Sequence, residues 1–278
     1  MKSIAVFGLG LIGASIAKAV KQNSDIKVIG WNRSIGVAEQ ALKDGTIDCI
    51  WDKQSPLCAD LAIIAFPPDA TVAFLQENGG RFSKETVVTD VCGVKRHIVL
   101  ECEKICAQHG LTFIGGHPMA GKEKGGYANA DAGLFVGASY IITPTEHTPE
   151  RAVFVMQEFI RILKAGRVTV STPEKHDRII AYTSQLPHVL AGAYVKSPTC
   201  RERKGFSAGS FMDVSRVAAA DENLWSELFL YNGENLCREI DTLIANLTAY
   251  RDAIREGNKE KLYAIIKEGR LLKEADLR

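Results

Sequence analysis

Near its start the chain reads Ser3-Ile4-Ala5-Val6-Phe7-Gly8-Leu9-Gly10-Leu11-Ile12-Gly13-Ala14-Ser15-Ile16-Ala17, an apolar run that passes straight into Gly-x-Gly-x-x-Gly. Four apolar residues before the first glycine read as a buried strand, and Leu11 onward reads as a helix. Glycines at this strand-to-helix junction have separate tasks. Gly8 permits the tight turn, Gly10 lets the backbone approach a pyrophosphate, and Gly13 lets helix and strand pack closely. The helix N-terminus, with Leu11 and Ile12 in its first turn, is then free to bind the anion. A secretory leader ending at Ala17-Lys18-Ala19 is the competing reading. Three glycines interrupt that run, and Lys18 ends it short of the roughly 20 residues a membrane span needs.

The next strand ends Ile29-Gly30-Trp31-Asn32-Arg33-Ser34. A fold built for NAD usually places Asp or Glu near Asn32 to accept from the ribose hydroxyls. Here the acid is missing, which removes a repulsion, and Arg33 with Ser34 can hold a 2′-phosphate. Both changes favour NADP; Asn32 can still bond an unphosphorylated ribose, so NAD is the alternative. The expected cofactor-binding set is Gly8, Gly10, Leu11, Ile12, Gly13, Asn32, Arg33 and Ser34.

Outward from this unit, short apolar runs at Ile4–Phe7, Lys27–Gly30, Leu61–Phe66, Thr86–Thr89, Thr112–Ile114, Tyr140–Ile142 and Arg167–Val170 read as strands. Most are continuously apolar, which suits a parallel sheet covered on both faces. Helical patterns at Leu11–Lys21, Ile35–Asp44, Asp69–Gly79 and Lys95–His109 separate the early ones, so the expected class is α/β Rossmann, doubly wound and mostly parallel. After Ser171 the pattern changes. Thr172-Pro173-Glu174 is a helix start, and no strand is evident from there to Arg278. The expected division is a dinucleotide-binding Rossmann domain over 1–171 and an all-α domain over 172–278. Leu236, Ile240, Leu243, Leu247, Tyr250 and Ile254 form a stripe down one long helix, serving core packing or a subunit interface.

Composition narrows the function classes. Thirty-four Lys+Arg against thirty-three Asp+Glu leave a net charge of +1 over 278 residues. No basic field attracts nucleic acid or anionic lipid. Hydrophobic content of 46% is too high for disorder. Seven scattered cysteines without a Cys-x-x-Cys point to reduced thiols in a cytoplasm, not to disulfides or zinc.

In an open α/β sheet, ligands sit beyond the carboxyl ends of the strands. Two segments there are unusual: Thr89-Asp90-Val91-Cys92-Gly93-Val94-Lys95, and Gly115-Gly116-His117-Pro118-Met119-Ala120-Gly121, expected as a loop after the fifth strand. Glycines around His117 would let backbone and ligand approach. A histidine fixed beside a nicotinamide can accept a hydroxyl proton as hydride leaves the same carbon, so His117 is the expected catalytic base. It must be neutral to act, and activity should fall when it protonates.

Gly115-Gly116-His117-Pro118-Met119-Ala120-Gly121 with Glu123 and Gly126 resembles the signature of the TyrA family, the prephenate and arogenate dehydrogenases. The resemblance continues through Ser184-Gln185-Leu186-Pro187-His188, Phe211-Met212-Asp213-Val214-Ser215-Arg216-Val217-Ala218 and Asn223-Leu224-Trp225, in order along nearly the whole chain. It implies oxidative decarboxylation of a cyclohexadienyl acid in tyrosine biosynthesis: prephenate to 4-hydroxyphenylpyruvate, or arogenate to tyrosine. It further implies that the domain over 172–278 binds substrate and mediates a homodimer, with a pocket between the domains. Arg216 matches the family's substrate-binding arginine, and its planar fork suits a carboxylate. Read from the residues alone, an ion pair with Asp213 explains it equally. His188 matches a substrate-contacting histidine and Glu123 an acidic residue at the site.

The sequence departs from the family pattern at Gly93, where many members carry a serine able to bond the catalytic histidine. A water, Cys92 or a backbone group is expected to substitute. Gln185 stands where some members have histidine. No room is expected for a chorismate mutase segment or an ACT-type regulatory module. Two further readings compete: a β-hydroxyacid dehydrogenase, in which Lys196 would lack its usual asparagine neighbour, and a non-catalytic NADP-sensing protein.

Overall fold

The computed structural model describes residues 1–276. The first two-thirds of the chain holds β1 (Ser3–Phe7), α1 (Leu11–Asn23), β2 (Lys27–Trp31), α2 (Ile35–Lys43), β3 (Cys49–Ile50), β4 (Leu61–Ile64) and α3 (Pro68–Asn78). These are followed by β5 (Val87–Asp90), α4 (Arg96–His109), β6 (Thr112–Pro118), β7 (Ser139–Thr143), α5 (Glu150–Ile162) and β8 (Arg167–Val170). Beyond lie α6 (Pro173–Ile180), α7 (Leu186–Tyr194), α8 (Gly209–Ser215), α9 (Glu222–Tyr231), α10 (Gly233–Arg255) and α11 (Lys259–Asp276).

The eight strands form one sheet in the order β3-β2-β1-β4-β5-β6-β7-β8. Strand alternation splits the core between its two faces. Ile4 and Val6 face a cluster with Ile16, Val20, Met156 and Phe159, whereas Ala5 and Phe7 face Trp51, Phe74, Phe82 and Cys102. Burial on both faces explains why these strands read as unbroken apolar runs. The α/β Rossmann class is as expected, with a helical region after it.

Every strand pair is parallel except β6 with β7. That exception corrects the expected loop around His117. Thr112–Ile114 pair with β5, and Gly115–Pro118 then pair antiparallel with β7, placing His117 opposite Ile141. His117 is therefore held in a sheet. The glycines before it also act differently from the expected ligand approach. A side chain on Gly115 would meet Thr143 Oγ1 at 2.3 Å, and one on Gly116 would meet the Asp90 carbonyl oxygen at 2.8 Å. They are small because β6 crosses closely over buried neighbours while changing partners.

Two elements lay outside the sequence reading. The edge strand β3 has two residues, too few to show a pattern, while α5 buries Ala152, Met156, Phe159 and Ile160 along one face. In the helical region Thr172 caps α6, its Oγ1 accepting from the Lys175 amide at 3.2 Å. A π-helical turn, Ala181–Gln185, joins α6 to α7.

Candidate active site

The first βα turn has the geometry its glycines dictate. Gly8 has φ +93°, and a side chain on Gly13 would lie 1.9 Å from the Gly8 carbonyl oxygen. Neither position admits a larger residue without moving the backbone. A side chain on Gly10 would meet nothing within 4 Å, so the face above the helix start is open. No side chain caps α1, and its first turn carries no acid. Open space over uncapped amides, with no repelling carboxylate, fits a pyrophosphate.

Asn32 is committed to this turn. Its Oδ1 accepts from the Leu9 amide at 2.9 Å, and its Nδ2 donates to the Ser34 carbonyl at 3.2 Å. One Nδ2 hydrogen is left for a ribose hydroxyl. Arg33 and Ser34 are exposed beside the start of α2.

At the far end of β5, Asp90 organises the second half of the site. Its carboxylate accepts from the Cys92 amide at 2.8 Å and the Gly116 amide at 3.1 Å, and it pairs with the Lys95 ammonium. Both side chains of that ion pair are 0% exposed. The turn before α4, strand β6 and a buried cation are thus tied to one carboxylate.

His117 projects from this frame toward α6. Its Nδ1 lies 2.8 Å from His176 Nε2, and His176 Nδ1 lies 2.7 Å from Asp177 Oδ1. Asp177 also accepts from the Lys95 amide at 2.7 Å and the Arg96 amide at 2.9 Å, so an acid from the helical region caps the start of α4. His176 and Asp177 are buried. Among the described residues His117 Nε2 has no hydrogen-bond partner, yet it is not one of their buried unpaired atoms, so it opens outward. Burial, then the neighbouring His176 and the Lys95 charge, hold His117 well below the ordinary imidazole value of 6.5. It is therefore uncharged at neutral pH.

Sequence reasoning missed His176 and Asp177. The available signal was a His-Asp pair just after a well-capped helix start, on the face that buries Ile180 and Ala181.

A side chain on Gly93 would sit 4.0 Å from His117 Nε2 and 3.4 Å from Leu228 of α9. Cys92, an expected substitute for the missing serine, points elsewhere: its Sγ bonds the Phe66 carbonyl at 3.4 Å and approaches Thr71 Oγ1 at 3.5 Å. Burial pushes that thiol far up, so it stays protonated inside the core. Gln185 also faces inward, its Nε2 donating to the Leu228 carbonyl and its Oε1 accepting from Asn232.

Arg216 pairs with Glu123 at 3.1 Å, not with Asp213. The two come from opposite regions of the chain, and both side chains are more than half exposed, so the pair adds little stability. It leaves guanidinium N–H groups free for a ligand. His188 stacks on Trp225 at 3.6 Å between ring centroids, with Nδ1 held by the Ser184 carbonyl. Burial chiefly, and Arg216 to a lesser degree, lower its pKa. The structure thus brings together the turn residues, His117 with Gly93, and Arg216 with Glu123. No hydrogen bond joins His117 to Arg216 or His188 among the described residues.

A glycine-rich βα turn and, on another strand of the same sheet, a neutral imidazole with one nitrogen open define a dinucleotide-dependent dehydrogenase. Comparison with known proteins gives the particular kind. Residues 16–169 match the family model "Prephenate dehydrogenase, nucleotide-binding domain", and residues 172–268 match "Prephenate dehydrogenase, dimerization domain". The prephenate dehydrogenase of Bacillus subtilis is 33% identical over 274 residues, covering 95% of this chain and 73% of that protein. The crystal structure of A. aeolicus prephenate dehydrogenase, in complex with hydroxyphenyl propionate and NAD+, superposes with TM-score 0.89 at 26% identity, over 100% of this chain and 99% of that one. Synechocystis arogenate dehydrogenase gives 0.81 at 25% identity, over 98% and 99% of the two chains. The chain belongs to the prephenate dehydrogenase family and is an oxidoreductase with an NAD(P) cofactor.

Proposed function

We propose that the chain catalyses oxidative decarboxylation of prephenate, with His117 as base. The observation that carries this reading is the imidazole itself: uncharged, tied back through Nδ1 and open at Nε2. A bound nicotinamide supplies the hydride acceptor. The protein's part is to position the ring hydroxyl so that its proton passes to His117 Nε2 as hydride leaves the same carbon. Loss of the carboxylate as the ring becomes aromatic then needs no further acid or base. Arg216 offers a charge-assisted grip on a substrate carboxylate, with Glu123 positioning its guanidinium. His188, stacked on Trp225, lines the same side.

The cofactor in this reading is NADP. Arg33 and Ser34 stand exposed by α2, and no acid is there to repel a phosphate. Gly8, Gly10, Leu11, Ile12 and Gly13 take the pyrophosphate. We propose a division at residue 171, with 1–171 binding the dinucleotide and 172–278 completing the substrate site. A homodimer is supported by α10, whose stripe is buried at Leu236 but exposed at Leu247 and Ile254. Seven unpaired thiols favour a cytoplasmic setting, and no helix among the described residues is long and apolar enough to cross a membrane.

Steady-state assay of prephenate and arogenate, each with NADP and NAD, tests the reading. Prephenate with NADP should give the highest kcat/KM. A preference for arogenate would move the chain to the sister activity that one structural neighbour bears.

A further inference from the structure

We infer that His176 and Asp177 are positioning residues for the base. They fix His117 in the tautomer that presents a lone pair on Nε2, and they receive the positive charge when that lone pair takes a proton. The inference rests on His117 being the base.

The chain of hydrogen bonds has one self-consistent direction. Asp177 receives N–H groups from Lys95 and Arg96, so its carboxylate acts as an acceptor. It also lies 2.7 Å from His176 Nδ1, which must then carry a hydrogen. A neutral His176 with hydrogen on Nδ1 has its lone pair on Nε2. That lone pair faces His117 Nδ1 at 2.8 Å, so His117 Nδ1 must donate. The remaining lone pair of His117 is left on Nε2, the atom beside Gly93 that opens outward. A free imidazole distributes its hydrogen between the two nitrogens; here a carboxylate two residues removed in space assigns it.

The same path carries charge away. The substrate O–H bond breaks as a His117 Nε2–H bond forms. The His117 Nδ1–H bond breaks as a His176 Nε2–H bond forms. The positive charge comes to rest on His176 against the Asp177 carboxylate, and His117 is neutral again. The charged groups around this pair are Lys95, which opposes a second positive charge, and Asp90 and Asp177, which favour one on His176. This arrangement explains why His176 is buried without being an apolar residue: its place requires an acceptor toward His117 and a donor toward Asp177.

Nitrogen-15 NMR of the imidazoles in the full-length protein, without cofactor, reads the tautomers directly, with His117→Asn and His176→Gln identifying the signals. His117 should carry its hydrogen on Nδ1. In Asp177→Asn the side-chain amide can donate to His176, reversing the chain and moving the His117 hydrogen to Nε2. Its kcat should fall on the order of 10²–10³-fold, with KM for the cyclohexadienyl acid within about threefold of wild type. His176→Gln, whose Oε1 can still accept from His117, should keep more turnover than His176→Leu. A wild-type His117 bearing hydrogen on Nε2 would overturn the inference. So would full turnover in His176→Leu, whether or not Asp177→Asn folds. Full turnover in His117→Asn would instead remove the base itself, an outcome the tautomer spectrum keeps separate.

Discussion

Replacing Lys95 by Met probes the frame that holds the base. Lys95 and Asp90 are both 0% exposed, and their charges face one another inside the sheet domain. Without the ammonium, the Asp90 carboxylate keeps its two amide donors, from Cys92 and Gly116, but has no opposite charge within reach. Removing one partner of such a buried pair costs about 3–5 kcal/mol, because the other charge stays desolvated. A native protein holds roughly 5–15 kcal/mol in total, so about a fifth or more of the stability is at stake. With a urea slope of about 3 kcal/mol per molar, the unfolding midpoint should fall by roughly 1–2 M. Near-ultraviolet circular dichroism under urea measures it. Adding Asp90→Asn removes the unpaired charge and should restore part of the loss, the remainder reflecting the Cys92 or Gly116 amide left facing Nδ2. The variant should also shift the pH–rate profile. Lys95 is one of the charges that keep His117 uncharged, so the acid limb of kcat/KM should move to higher pH. A midpoint within about 0.3 M of wild type, with the acid limb unmoved, would refute the reasoning.

Outcomes at four other residues are expected. His117→Asn should retain cofactor affinity by fluorescence titration yet lose roughly 10²–10⁴-fold in turnover; in wild type, kcat/KM should stay level as pH falls through 6.5 and decline only below it, because burial holds the folded pKa beneath that value. The unfolded chain takes up that proton first, so stability should decrease over the same acid range, which a pH series of melting temperatures would reveal. Arg216→Ala should raise KM by roughly 30- to 700-fold, the equivalent of ~2–4 kcal/mol of charge-assisted binding, and an unchanged KM would leave only its ion pair with Glu123. Arg33→Ala should erode a preference for NADP over NAD, and a chain that already prefers NAD would remove Arg33 from cofactor choice. Gly93→Ser should fold normally, since its Cβ meets Leu228 at ordinary contact distance, and should raise kcat/KM about fivefold through one hydrogen bond of ~1 kcal/mol to His117; a loss of activity would show that the position is better empty.

Much of the fold was legible because its signals are local. Apolar runs separated by amphipathic segments specify a two-sided sheet, and Gly8-x-Gly10-x-x-Gly13 specifies the turn that joins β1 to α1. His117 could be singled out for its setting, and Arg216 and Glu123 through family resemblance. Three sets of contacts escaped that reading because each joins residues distant in sequence. Gly115 and Gly116 are small for Thr143 and Asp90, Arg216 pairs with a residue 93 positions away, and Cys92 turns into the core.

The sequence alone determined what propensity and periodicity can carry: the α/β class, the dinucleotide turn and the change to helices after Ser171. Tertiary structure decided the chemistry of the histidine. A strand must exchange its parallel neighbour for an antiparallel one before His117 reaches α6, and only that packing sets its Nδ1 against His176, 59 residues onward. Hydrogen bonds act over about 3 Å, so no pattern of nearby residues can encode which distant partner will complete them.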